Sequence, residues 1–228
     1  MLKYTVKKMK WRENKEGKFM NIQRFKNNDI RKLICETLVK TENEPIYVEE
    51  LVKIERLTIN PRLFKVPTLQ VDLSDLVLLK NLKKLYIRDL HISDFEVDCI
   101  NHLTSFEYLQ INDSKILKLH IPFYLEKLNG FTIVTTKGVN LKDFNKLYNL
   151  KILKVISCEV EKYKGISDLK NLEEIYLQGL DVVDLKTLLK INNLKLVNLD
   201  GSTVKKDKYE MVLKERVKVE HAKEFFVV

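Results

Sequence analysis

One apolar pattern returns along most of this chain at an almost fixed interval, and a repeat of that kind constrains a fold more than any single residue does. The pattern has apolar residues at its first, fourth, sixth and last of eleven positions, with a small or apolar residue at the ninth. Leu82, Leu85, Ile87, Leu90 and Ile92 fit it, and so do Phe106, Leu109, Ile111, Ser114 and Ile116. Further copies are Leu128, Phe131, Ile133 and Thr136; Leu150, Leu153, Val155, Cys158 and Val160; Leu172, Ile175, Leu177, Leu180 and Val182; and Leu194, Val197, Leu199, Ser202 and Val204. Between the second apolar positions 85, 109, 131, 153, 175 and 197 the steps are 24, 22, 22, 22 and 22. Chance does not produce that series. The alternation inside each copy is the period of a short strand with one buried face. A single copy cannot cover its own apolar side, so the copies must stack. An earlier copy, Ile54, Leu57 and Ile59, lies 28 residues before Leu85. The gap holds Val66, Leu69 and Val71, which form either an irregular extra turn or an insertion.

Over roughly residues 54–204 these copies resemble the leucine-rich-repeat family, and their 22-residue length is similar to that of phosphatase-regulator and internalin-type repeats. Between strands, Val160, Tyr163, Ile166, Leu169 and Leu172 recur every three residues, as do Val182, Leu185, Leu188, Ile191 and Leu194. That period suits 3₁₀ turns or short helices. The resemblance implies an α/β solenoid with a concave parallel sheet and convex 3₁₀ or short helices, closed by atypical caps at both ends. One departure stands out. The ladder position that carries Asn in the family holds Leu90, Ser114, Thr136, Cys158, Leu180 and Ser202. Ser, Thr and Cys can substitute in part, whereas Leu cannot hydrogen-bond, so the bends at 90 and 180 need other partners.

At 228 residues the chain suits one elongated domain: a basic N-terminal cap over 1–53, repeats over 54–204 and a C-terminal cap over 205–228. In the first cap, Leu2, Tyr4 and Val6, a turn at Glu16-Gly17, and Phe19, Met20 and Ile22 suggest a hairpin. A helix follows, capped by Asn28 or Asp29 and running to about Lys40, with Ile30, Leu33, Ile34 and Leu38 on one face. Val217, Val219 and the Phe225–Val228 run are apolar enough to close the last coil. No apolar stretch approaches the ~18 residues of a membrane span, and no secretory leader is evident, so a cytoplasmic location is expected. Cys35, Cys99 and Cys158 are odd in number and far apart, which argues against a disulfide framework.

Nothing in the chain spells out a reaction. Neither glycine-rich phosphate motif occurs among the six glycines, and no cofactor is expected. Cys99 and His102 have a ligand-like spacing, with His91 and His120 nearby, but a zinc site needs about four converging ligands. Cys158 faces inward at a ladder position, where a structural role is expected rather than a nucleophilic one. The reading is therefore non-enzymatic.

What the resemblance singles out is the concave face, where six stacked strands about 4.8 Å apart present a strip roughly 25 to 30 Å long. Its middle row is Tyr86, Gln110, Thr132, Lys154, Tyr176 and Asn198. Lys84, Tyr108, Gly130, Ile152, Glu174 and Leu196 flank it on one side; Arg88, Asn112, Val134, Ile156, Gln178 and Asp200 flank it on the other. Tyr and Arg are enriched at binding hot spots, and apolar groups ringed by polar ones are ordinary interface anatomy. Tyr86, Tyr108 and Tyr176 are the expected anchors, Ile152 and Ile156 the desolvated centre, and Arg88, Lys154, Glu174 and Asp200 the orienting charges. Gln110, Gln178 and Asn198 complete the site. Lys84, Arg88 and Lys154 are offset by Asp89, Asp113, Glu174 and Asp200, a mixture that favours a protein partner over a phosphate backbone.

The net charge of +9 is concentrated elsewhere: residues 1–26 hold nine basic side chains against Glu13 and Glu16. Lys7, Lys8, Lys10, Trp11 and Arg12, with Phe19 and Phe25 interleaved, offer an alternative, a nucleic-acid or anionic-surface contact by charge and stacking. The expected function is protein binding on the concave face, as in a regulatory or immunity protein, with the basic segment as the alternative.

Overall fold

The computed structural model describes residues 11–13, 19–60, 72–92, 95–96, 99–100, 102–113, 115–116, 119–120, 125–137, 139–181, 183–204 and 208–220. A short hairpin comes first, β1 (Trp11–Glu13) antiparallel to β2 (Phe19–Asn21). Leu2, Tyr4, Val6 and the Glu16-Gly17 turn lie outside the described residues. Helix α1 (Asn28–Thr37) follows, buried through Ile30, Leu33, Ile34 and Cys35. Its cap is Asn27, one residue before the positions expected, because the Asn27 side chain accepts from the Asp29 and Ile30 N–H groups. The Asp75 carboxylate, itself buried in the first coil, accepts from the Lys26 and Asn27 N–H groups at 2.8 and 2.7 Å and ties this segment to the repeats. A one-turn helix, α2 (Val48–Leu51), leads into the first strand of the main sheet.

That sheet is formed by β3 (Arg56–Ile59), β4 (Lys84–Arg88), β7 (Tyr108–Asn112), β10 (Gly130–Val134), β12 (Ile152–Ile156), β14 (Glu174–Gln178), β15 (Leu196–Asn198) and β16 (Lys218–Glu220). The eight strands are parallel and lie side by side in chain order. Each apolar position pairs with its counterpart one repeat on, so Leu57, Leu85, Leu109, Phe131, Leu153, Ile175 and Val197 form one buried column. Ile59, Ile87, Ile111, Ile133, Val155 and Leu177 form another. Because β3 pairs directly with β4, the 28-residue step is spanned without a sheet strand between them; the Val66–Val71 segment lies outside the described residues. The sheet also runs past residue 204. Strand β16 sits 22 residues after β15 in the same register, after helix α4 (Lys208–Arg216), so Val217 and Val219 belong to a further coil. The Phe225–Val228 run is outside the described residues.

The three-residue periods become i→i+3 bonds. Ile166, Leu169 and Leu172 donate to Tyr163, Ile166 and Leu169 at 3.1, 3.2 and 3.1 Å. The turns Leu73–Leu78, Leu141–Lys146 and Lys164–Asp168 are 3₁₀, and the equivalent α3 (Leu185–Leu188) is one α-helical turn. Paired two- or three-residue strands also join the coils: β5 (His91–Ile92) with β8 (Lys115–Ile116), β6 (Phe95–Glu96) with β9 (Leu119–His120), and β11 (Val139–Asn140) with β13 (Val160–Lys162), the last two leading into the Leu141–Lys146 and Lys164–Asp168 turns. Gly165 stands where a Cβ would collide with the backbone carbonyls of Leu141 and Lys142, which lets two coils close on each other.

Candidate partner-binding face

The strand period leaves one side chain of every two on the face away from the core, and the unstaggered register stacks those side chains into columns. Thr58, Tyr86, Gln110, Thr132, Lys154, Tyr176, Asn198 and Glu220 are consecutive partners down the middle of the concave face. The six rows expected from the sequence thus sit side by side. Two more rows extend them, Arg56 and Thr58 at one end, Lys218 and Glu220 at the other. The signal for the last was legible, since Val219 continues the 22-residue series.

Neighbouring side chains are engaged with one another before any partner arrives. At the β3 end the Arg56 guanidinium lies 5.8 Å from the centre of the Tyr86 ring. Tyr86 and Tyr108 rings are tilted at 49° with centroids 5.7 Å apart. The Tyr108 ring covers Gly130, where a Cβ would come within 2.6 Å of it. Its hydroxyl donates to Gln110 Oε1 at 3.1 Å and shares a 2.8 Å hydrogen bond with Thr132 Oγ1. The Gln110 amide in turn donates to Asn112 Oδ1 at 2.9 Å.

Toward the other end, Lys154 Nζ lies 4.3 Å from the centre of the Tyr176 ring, and the Tyr176 hydroxyl donates to Glu174 Oε2 at 3.0 Å. Partial burial, and then that bond to the Glu174 carboxylate, push the Tyr176 phenol above its ordinary pKa. Gln178 donates to Asn198 Oδ1 at 2.8 Å, and the Asn198 amide donates to Asp200 Oδ2 at 3.1 Å. Arg88 is exposed, while Ile152, Lys154, Ile156 and Tyr176 are half-buried. Ile156 lies beside Val134, but Ile152 pairs with Gly130 and Glu174. Four residues of strand, about 13 Å, separate the two isoleucines, with Lys154 between them. The apolar centre is therefore two patches astride a lysine.

The ladder residues hold the strand ends. Ser202 Oγ accepts from the Leu180 N–H at 2.9 Å and donates to the Leu177 carbonyl at 2.7 Å. The leucine at 180 is thus served by the serine of the next coil. Thr136 donates to the Val134 carbonyl at 3.0 Å, and Cys158 to that of Ile156 at 3.3 Å. Burial pushes the Cys158 thiol up, against the direction an activated nucleophile needs. Ser114 is outside the described residues. Cys99 is half-buried and His102 exposed, and no three His, Cys, Asp or Glu converge on a common point among the described residues.

Lys7, Lys8 and Lys10 lie outside the described residues, and of Trp11 and Arg12 only the backbone, in β1, is described. No described helix is long and apolar enough to cross a membrane.

A parallel sheet that never closes, with one strand and one tight turn per 22 residues, is the geometry of a leucine-rich-repeat solenoid, and that is the class of this fold. Among solved structures, internalin C2 from Listeria monocytogenes superposes with a TM-score of 0.60 at 17% identity, over 84% of this chain and 92% of that one. Internalin F from the same organism superposes at 0.62 with 20% identity, over 86% of this chain and 63% of that one. No protein-family profile matches the sequence, nor does any curated protein. At these identities the likeness is one of fold.

Proposed function

We propose that this chain is a non-enzymatic protein-binding module that holds a protein partner on its concave face, in the manner of a regulatory or immunity protein. The observation that carries the reading is the preordering of that face: Tyr86, Tyr108 and Tyr176 are each fixed by a cross-strand contact. Side chains already held in place lose less conformational entropy on binding, and rigid aromatic groups are favoured anchors. Capture of proteins from native cell lysate by the intact chain, beside Tyr86→Ala, Tyr108→Ala and Tyr176→Ala variants, tests it. Tyr176→Ala is expected to weaken a captured partner more than about fivefold, or ~1 kcal/mol, with the circular-dichroism melt unchanged. Equal capture by all three variants moves the site off this face.

The charge of residues 1–26 supports a second reading, an anionic-surface or nucleic-acid contact. Deleting the whole segment is a poor test, because Ile22 bridges Tyr47 and the Lys26 N–H holds Asp75. Replacing Lys7, Lys8, Lys10 and Arg12 by Gln leaves those contacts in place. Loss of a steeply salt-dependent affinity for DNA or anionic vesicles in that variant supports the second reading.

A further inference from the structure

The charges of the concave face are sorted along the solenoid. Arg56, Lys84 and Arg88 occupy β3 and β4 at one end. Strands β7 and β10 carry no charged residue at all: their sequences are Tyr-Leu-Gln-Ile-Asn and Gly-Phe-Thr-Ile-Val. Lys154 follows, its charge directed onto the Tyr176 ring. Beyond it stand Glu174, Asp200 and Glu220, with Lys218 bonded to Glu220. Of the other acidic groups near the first strands, Asp89 and Asp113 sit one residue past the strand ends in left-handed turns at φ 53° and 49°, and Glu55, paired with Lys83, and Glu107 sit one residue before β3 and β7, all on the rims. Down the face, the order is cationic, then neutral, then the single ring-bound Lys154, then predominantly anionic.

Resting on the protein-binding reading above, we propose that the partner presents a segment of the opposite order: acidic at one end, apolar in the middle, basic at the other, lying across the strands. Its acidic end meets Arg56 and Arg88, its apolar middle meets the Val134–Ile156 patch, and its basic end meets Glu174 and Asp200. Strands β4 and β14 are four steps apart, about 19 Å, and β4 and β16 six steps, about 29 Å. At roughly 3.3 Å per residue an extended segment needs about six to nine residues between its charged ends. Complementary charge of this kind fixes orientation and rejects partners of single sign. A uniformly acidic polymer, nucleic acid included, meets the Glu174, Asp200 and Glu220 carboxylates at the β14–β16 end.

Three fluorescein-labelled peptides of about twelve residues test the proposal by anisotropy with the full chain: Asp block, apolar middle, Lys block; the same composition with Asp and Lys alternating; and Lys blocks at both ends. The block peptide is expected to bind at least tenfold more tightly than the alternating one at low salt, with the gap closing at high salt. Arg56→Glu/Arg88→Glu is expected to invert the preference toward the double-Lys peptide, its melting curve showing that the fold is kept. Equal binding of the block and alternating peptides, binding of none, or a preference untouched by the charge reversal overturns the proposal. If lysate proteins are still captured and still lost with Tyr176→Ala, the concave-face reading survives that outcome. If capture is indifferent to all three tyrosines, both readings fall. Sedimentation of the chain alone covers the remaining occupant: self-association abolished by Arg56→Glu/Arg88→Glu assigns the face to a second copy and overturns the proposal.

Discussion

At the edge where the sheet strands begin, Asn81, Asn149, Asn171 and Asn193 each reach one coil back and donate to the carbonyls of Val52, Glu126, Tyr148 and Lys170 at 2.7 to 2.9 Å. Arg216 does the same for Leu189 at 2.7 Å in the last coil. A row of charges runs beside them: Lys83 pairs with Glu55, and Glu173 with both Lys151 and Lys195. At the edge where the strands end, the coils are joined by backbone instead. Residues 89, 113, 135, 157 and 179 all take positive φ, and each donates its N–H to a carbonyl of the next coil. Behind them, buried Thr136, Cys158 and Ser202 hold the bends. Water can replace a lost donor at the first edge, which is exposed. It cannot at the buried ladder residues behind the second, where an unmet polar group stays out of its reach.

The largest effect should come from Ser202→Ala, which strands both the Leu180 N–H and the Leu177 carbonyl. A loss of about 2 kcal/mol in urea unfolding, with an unchanged m-value, is expected; a loss as small as that of an exposed Asn would erase the distinction between the edges. Next, Gly179→Ala puts a Cβ on a residue at φ 60° and should cost about 1 kcal/mol. Thr135→Gly, at φ 49°, should have the opposite sign and raise the melting temperature slightly, because a β-branched residue is strained there. At the exposed edge, Asn171→Ala is expected to cost only about 0.5 kcal/mol in the same urea experiment, since solvent reaches the Tyr148 carbonyl.

The smallest effect concerns pH. The hydrogen bond from Lys195, and then its charge, hold the Glu173 carboxyl below its ordinary pKa. Such a group contributes stability above the ordinary carboxylate range, and that contribution is lost as pH falls through the lowered value. Melting temperatures of the parent and Glu173→Gln should therefore differ slightly at pH 7 and converge in acid. Because the pair is exposed, high salt should shrink the difference. A difference that grows in acid or ignores salt would contradict the exposed-edge account.

Most strands of the main sheet could be located from periodicity, because a spacing of 22 puts the same apolar residue at the same place in every coil. Strand β16 is less legible: the apolar Val217 and Val219 suit a cap as well as a coil, although Val219 lies one period after Val197. The start-edge asparagines are equally periodic, at 149, 171 and 193, but their reach to the preceding coil's carbonyls is visible only in three dimensions. At the candidate site, the rows were legible and their contacts were not. Nothing in the chain order of Lys154 and Tyr176 says that the ammonium lies on that ring, or that Tyr108 turns over Gly130 toward Thr132.

The sequence by itself determined the repeat, the parallel order and which side chains leave the core, because these follow from the two-residue strand period and the 22-residue step. Only the tertiary structure decided that the register is unstaggered across all eight strands, that the two isoleucines stand apart with Lys154 between them, and that a serine serves the leucine of the preceding coil. Those outcomes depend on which groups meet across a 4.8 Å gap, and residues about 22 apart in sequence become neighbours only after the coils have closed.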